Sequence, residues 1–150
     1  MRFNSSARAA LFGAVLATSA AFGQPASAQA TDDTLYQQLG GQSGLVTLMD
    51  DFMTQLLADK RMAPFFKDVD HKHVKAQLVA QFCEVSGGPC KLKGPDMKKA
   101  HSGFDVSKGD FNALVEVLQQ SMDAQGIAFG TQNRLLARLA PMHREIINTP

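Results

Sequence analysis

The stretch Met97-Lys-Lys-Ala-His101-Ser-Gly-Phe104-Asp-Val106 decides how this chain is read. A short helical segment ends on a histidine, and a glycine-bearing corner with apolar residues follows. A histidine placed in this way can present a neutral imidazole to a metal while its hydrophobic neighbors keep water away. The other three histidines, His71, His73 and His143, lack that setting and are expected to face solvent, with His73 closest to the edge of any site built around His101.

On both sides of this stretch the apolar residues recur at spacings of three and four, the mark of amphipathic helices. Leu45, Leu48, Met49, Phe52, Met53, Leu56 and Leu57 define a first long helix, for which Ser43 is the expected cap. Val74, Leu78, Val79, Phe82 and Val85 define a second, stopped by Gly87-Gly88-Pro89. Ser107 can cap a third carrying Phe111, Leu114, Val115, Leu118 and Met122. Thr131 opens a fourth with Leu135, Leu136, Leu139, Met142, Ile146 and Ile147 inward, and Pro141 predicts a kink within it. Gly40-Gly41 sets off a short leading segment, Leu35 to Leu39. Period-2 alternation is scarce, so the fold class is all-α. A plain four-helix bundle accounts for this pattern, except that Lys91 to Val106 is too long for a minimal turn. A long connection in a small domain usually serves a function. Here it would set His101 against a cavity between the second and third long helices.

Residues 1–30 read as a secretory signal peptide rather than as part of the fold. Arg2 and Arg8 precede an apolar core from Ala9 to Phe22, and small-x-small cleavage sites end at Ala28 or Ala30. The apolar run is shorter than the roughly 20 residues of a membrane span. The expectation is an exported, periplasmic protein whose single domain occupies residues 31–150, with no membrane span in the mature chain. That part holds thirteen basic residues against fourteen acidic, which gives no electrostatic case for nucleic acid. Lys91, Lys93, Lys98 and Lys99 cluster locally, either as a solvated face or to neutralize an anionic cofactor edge. Cys83 and Cys90 flank the glycine pair; a disulfide and two buried thiols are both open readings. There is no Cys-x-x-Cys-His, so heme attachment through paired cysteines is excluded.

Taken in order, Leu35-Tyr36-x-x-Leu39-Gly40-Gly41, Asp51-Phe52, Leu57-Ala58-Asp59, Pro64-Phe65-Phe66, Gly87-Gly88-Pro89, Met97-x-x-x-His101 and Phe111 resemble the group 1 truncated hemoglobins, two-over-two helical relatives of the globins. The resemblance runs from about Thr34 to Ile147. It implies a b-type heme (heme b, iron protoporphyrin IX) with His101 as the proximal iron ligand. It also implies Phe66 against the porphyrin face, with Val74, Leu78, Phe82, Met97, Val106, Phe111 and Leu114 lining the crevice. Lys75, Lys98 and Lys99 are candidates to meet the propionates.

On the distal side the sequence departs from the family. Members commonly carry a tyrosine one residue after the position of Phe52; here that residue is Met53. With Val74 and Leu78 it gives an expected ligand pocket of Met53, Val74 and Leu78, none a good hydrogen-bond donor. Gln77 and Gln81 could supply an amide if either turned inward, and Met53 as a sixth iron ligand is a further alternative. The resemblance implies reversible binding of the diatomic gases O2, NO or CO. NO dioxygenation with an electron-donating reductase, or weak peroxidase activity, is the alternative, the latter disfavored by the missing acid–base group.

Overall fold

The computed structural model describes residues 33–149; the expected leader, residues 1–30, lies outside them. Helices α1 (Asp33–Gln38), α2 (Gly41–Ala58), α3 (Ala63–Phe66), α4 (His71–Val85), α5 (Met97–Ala100), α6 (Lys108–Ala124), α7 (Phe129–Leu139) and α8 (His143–Ile146) follow in order, with a 3-10 turn at Ala140–Met142 between the last two. No strand occurs among the described residues. The four long helices form two packed pairs, α2 with α4 and α6 with α7, joined through contacts of α2 with α6 and α4 with α7. Leu45, Leu48, Met49 and Leu56 of α2, Val117 and Met122 of α6 and Leu135 of α7 are fully buried where the pairs meet. This all-α arrangement is the one the periodicity predicts.

The helix ends show which local signals governed. Ser107 caps α6 as expected: its hydroxyl accepts from the Asp110 N–H at 3.2 Å, and the Asp110 carboxylate accepts from the Ser107 N–H at 3.0 Å. Two other starts differ from the expectation. Ser43 lies inside α2, which begins from Gly40 at φ 82°; the hydroxyl donates instead to the Gly40 carbonyl at 3.3 Å. Gly40 takes the cap because the chain must turn through the left-handed region there, where side chains are strained. Likewise α7 starts at Phe129, and Thr131 is used in packing, donating to Gln38 Oε1 at 2.8 Å. Pro141 does more than kink the fourth helix. With no N–H to donate, and with its ring set against the carbonyl four residues back, it ends α7 at Leu139 and leaves α8 as a separate turn. Leu57, expected inward, is 36% exposed at the end of α2.

Between α4 and α5 the chain is tied back on itself. Cys83 and Cys90 form a disulfide across a Cα–Cα distance of 5.7 Å, which decides between the two sequence readings. The hairpin requires glycine at position 88. A Cβ there would lie 2.7 Å from Cys83 Sγ, 2.7 Å from a ring carbon of Tyr36 and 2.9 Å from the Cys83 carbonyl oxygen.

Closing a loop this short lowers the entropy of the unfolded chain by an amount worth about 2–3 kcal/mol. Replacing both cysteines by serine should therefore lower the urea midpoint, and reductant should lower that of the native protein to match. An unchanged midpoint in both experiments would show that the bond contributes nothing to stability.

Candidate functional site

A cavity of about 820 Å³ opens between the helix pairs, with α4 on one side and α5 and its following corner on the other. Among the described side chains that line it are Phe66, Val74, Leu78, Phe82, Met97, His101, Val106, Phe111 and Leu114, the set expected from the sequence, together with Gln77 and Gln81. Met53 is the exception. It is buried on α2 but does not line the cavity; the residue of α2 that does is Phe52. Successive residues on a helix point about 100° apart, and the rotation of α2 turns Phe52 rather than Met53 to the cavity.

His101 stands at the C-terminal cap of α5 and is half-buried. Its Nδ1 lies 2.8 Å from the Met97 carbonyl oxygen. A carbonyl can only accept, so Nδ1 carries a proton, and in the neutral ring Nε2 keeps its lone pair. This is how metal-ligating histidines are oriented: one nitrogen is held by a backbone acceptor and the other is left for the metal. Met97 belongs to the four-residue α5, so the acceptor and the ring it aims move together. No cluster of three or more metal-binding side chains occurs among the described residues. A single histidine facing an apolar cavity suits an iron that brings its other ligands with it, as in heme.

Three tethers hold this wall. The disulfide fixes Cys90. Directly after it, the Glu84 carboxylate accepts from the Leu92 N–H at 2.8 Å and from Lys91 Nζ at 3.1 Å. These contacts, the Leu92 amide first and Lys91 second, hold the Glu84 carboxyl below its ordinary value. On the far side of His101, Asn148 Nδ2 donates to the His101 carbonyl at 3.1 Å, and the Asn148 and Thr149 N–H groups donate to the Val106 carbonyl at 3.0 and 3.2 Å. Asp105, between them, adopts a left-handed φ of 49°.

The opposite wall carries Phe52, Val74, Leu78 and Phe82, with His73, Gln77 and Gln81 beside them. Its two amides are placed differently. Gln81 Nε2 lies 3.1 Å from Met142 Sδ and 3.6 Å from Met97 Sδ, so its donor is engaged at the inner end. The Gln77 amide reaches toward Gly94, whose added Cβ would come within 4.0 Å of Gln77 Oε1.

The remaining histidines divide. His73 lines the cavity and is exposed, at the edge position expected of it. His71 and His143, expected in solvent, are both partly buried: His71 Nε2 donates to the Phe66 carbonyl at 2.7 Å, and His143 Nδ1 to the Ala140 carbonyl at 2.7 Å. Of the lysines expected at the propionates, Lys75 pairs with Asp50 at 2.6 Å, and none of Lys75, Lys98 and Lys99 lines the cavity, whereas Lys93 does. Sequence reasoning did not assign Leu118, Leu136, Leu139, Met142 and Ile146 to this cavity. Their helical spacing marked them as core, and nothing in a periodic pattern separates core against protein from core against a cofactor.

The chain matches the family model of the bacterial-like globins over residues 34–148. It is 32% identical over 94 residues to a group 1 truncated hemoglobin of Tetrahymena pyriformis, covering 63% of this chain and 78% of that one. It is 30% identical over 125 residues to one from Synechocystis sp., covering 77% and 98%. The chain belongs to the group 1 truncated hemoglobins. Its fold agrees: the crystal structure of the Tetrahymena pyriformis truncated hemoglobin in its Fe(III) form superimposes with a TM-score of 0.73 at 26% identity, covering 77% of this chain and 98% of that one. The domain is thus a heme globin that binds gaseous ligands, with a two-over-two helical fold.

Loss of the tail tether should be measurable directly. Asn148→Ala removes a hydrogen bond worth about 1 kcal/mol, so amide exchange over residues 101–106 should quicken by about fivefold. Exchange at Leu92 should depend on pH through Glu84. Because the carboxyl is lowered, the tether is present above the ordinary value of 4.5 and is lost as pH falls through the lowered one. Glu84→Gln should abolish that dependence; a pH-dependent step surviving in the variant would place its origin elsewhere.

Proposed function

We propose that this truncated hemoglobin holds one b-type heme through His101 Nε2 and reversibly binds a diatomic gas, O2, NO or CO, on the α4 side. The observation that carries the reading is the Nδ1 contact with the Met97 carbonyl. It fixes the tautomer and aims the free nitrogen from a wall of the cavity. Bound heme supplies an iron with one open position; the protein supplies its orientation and surroundings. Phe66, Phe82, Phe111 and Leu114 offer apolar surface for the ring, where burial contributes roughly 25 cal/mol for each Å² removed from water.

The α4 side sets how long a ligand stays. O2 bound to ferrous iron carries partial negative charge, and a donor to it is worth on the order of 1–3 kcal/mol, a tenfold to hundredfold effect. Phe52, Val74 and Leu78 offer no donor, and the Gln81 amide is turned to sulfur. We infer fast O2 release and ready oxidation of the iron, with Gln77 the residue able to moderate both. The Cys83–Cys90 bond also supports the proposed export, since disulfides persist in oxidizing compartments such as a periplasm.

The heme assignment is tested by the absorption spectrum. His101→Ala should lose the histidine-ligated Soret spectrum and regain it with added imidazole; an unchanged spectrum would refute the assignment. For the ligand side, Leu78→Gln places a donor on the bare wall and should slow O2 release by about tenfold or more, with CO release changed much less. Stopped-flow displacement of O2 by CO measures this, and equal slowing for both gases would point to a steric cause.

A further inference from the structure

The charges of this chain are segregated, and the segregation coincides with the mouth of the cavity. Residues 91–108 hold five lysines against two aspartates, whereas the rest of the chain from residue 31 holds eight basic residues against twelve acidic. Lys91 pairs with Glu84, and one of the two aspartates, Asp96, is occupied in capping α5 through the Lys99 N–H at 2.7 Å. Lys93, Lys98, Lys99 and Lys108 are exposed and carry no ion pair among the described residues. Phe104 lies within the same segment. It lines the cavity yet is 45% exposed, so the cavity reaches the surface beside it.

We propose that this lysine-bearing rim, with Phe104 on it, docks an acidic electron-donor protein that returns the iron to the ferrous state. The proposal rests on the heme reading above. Gas binding of O2 or CO requires ferrous iron, and a wall without donors favors oxidation, so a one-electron donor is needed. The electron enters best where the cavity reaches the surface; Lys93 lines the cavity there, and Lys98, Lys99 and Lys108 lie on the same segment, among residues that line it. Exposed charge of one sign steers an oppositely charged partner and fixes its orientation. In the step itself the donor loses one electron, ferric iron becomes ferrous, and no bond is made or broken. An anionic membrane would also attract four lysines. It is disfavored because α5 spans only four residues and offers no amphipathic face to insert.

The test uses the full heme-loaded ferric protein, with reduced flavodoxin as an acidic one-electron donor and photoreduced lumiflavin as a small neutral one. The flavodoxin rate should fall by about tenfold or more on passing from low to physiological salt, and again in the Lys98→Glu/Lys99→Glu/Lys108→Glu variant. The lumiflavin rate should be unchanged. Calorimetric affinity for oxidized flavodoxin, which involves no electron transfer, should weaken in parallel. Flavodoxin rates and affinities indifferent to salt and to the variant would overturn the proposal, as would retention on anionic phospholipid vesicles without binding to flavodoxin. Faster heme loss from the variant, followed at the Soret band, would assign the lysines to the heme carboxylates instead. Absence of any Soret band at the start would remove the heme reading and the proposal with it; a normal band with charge-insensitive reduction would remove the proposal alone.

Discussion

A helix of four residues has no stability of its own, because nucleation costs more than one turn of hydrogen bonds returns. His101 stands at the end of such a helix, and Met97, whose carbonyl orients it, stands at the start. The aim of the imidazole is therefore set by what holds α5 in place. Upstream, the disulfide and the Glu84 carboxylate pin Cys90, Lys91 and Leu92 to the end of α4. Downstream, the tail at Asn148 and Thr149 ties the His101 and Val106 carbonyls. Both ends of the segment are thus anchored to long helices or to the chain terminus, and the histidine is placed without a long helix beneath it.

These anchors explain why the connection between α4 and α6 is long without being a plain loop. Its backbone polar groups would cost free energy if left unpaired against an apolar cavity. Glu84 takes one amide, and the tail satisfies carbonyls that the short helix leaves open. Pro141 belongs to the same scheme. By ending α7 early it frees α8 to turn onto α5, with which it packs, and so brings the tail to the corner it ties.

Much of this was legible in the sequence, for a physical reason. The long helices announce themselves because burial on one face imposes a period of three and four, and the Met97-to-His101 spacing is local. Where several residues could serve, the sequence was silent. Ser43 and Gly40 both suit a helix start, and only the left-handed turn at Gly40 selects between them. Phe52 and Met53 are adjacent and both buried; which one reaches the cavity depends on the rotation of α2, fixed by packing against α4 and α6. The Asn148 tether joins residues forty-seven positions apart, and an asparagine near a terminus carries no mark of its partner.

The two sides of the cavity consequently have different freedom. The His101 side is held by covalent and hydrogen-bonded ties, so on the proposed function substitutions there would act on whether the cofactor is kept. The α4 side is a regular helix whose backbone needs no help, so residues there that face the cavity without belonging to the core, such as Gln77, can vary at little cost to the fold. Gln81 is spoken for by two sulfurs, while Gln77 sits one position from Leu78 at the open end. A change of side-chain torsion at Gln77, with no movement of backbone, would decide whether its amide faces that wall. On the function proposed above, ligand retention would then turn on the rotamer of one glutamine as well as on His101.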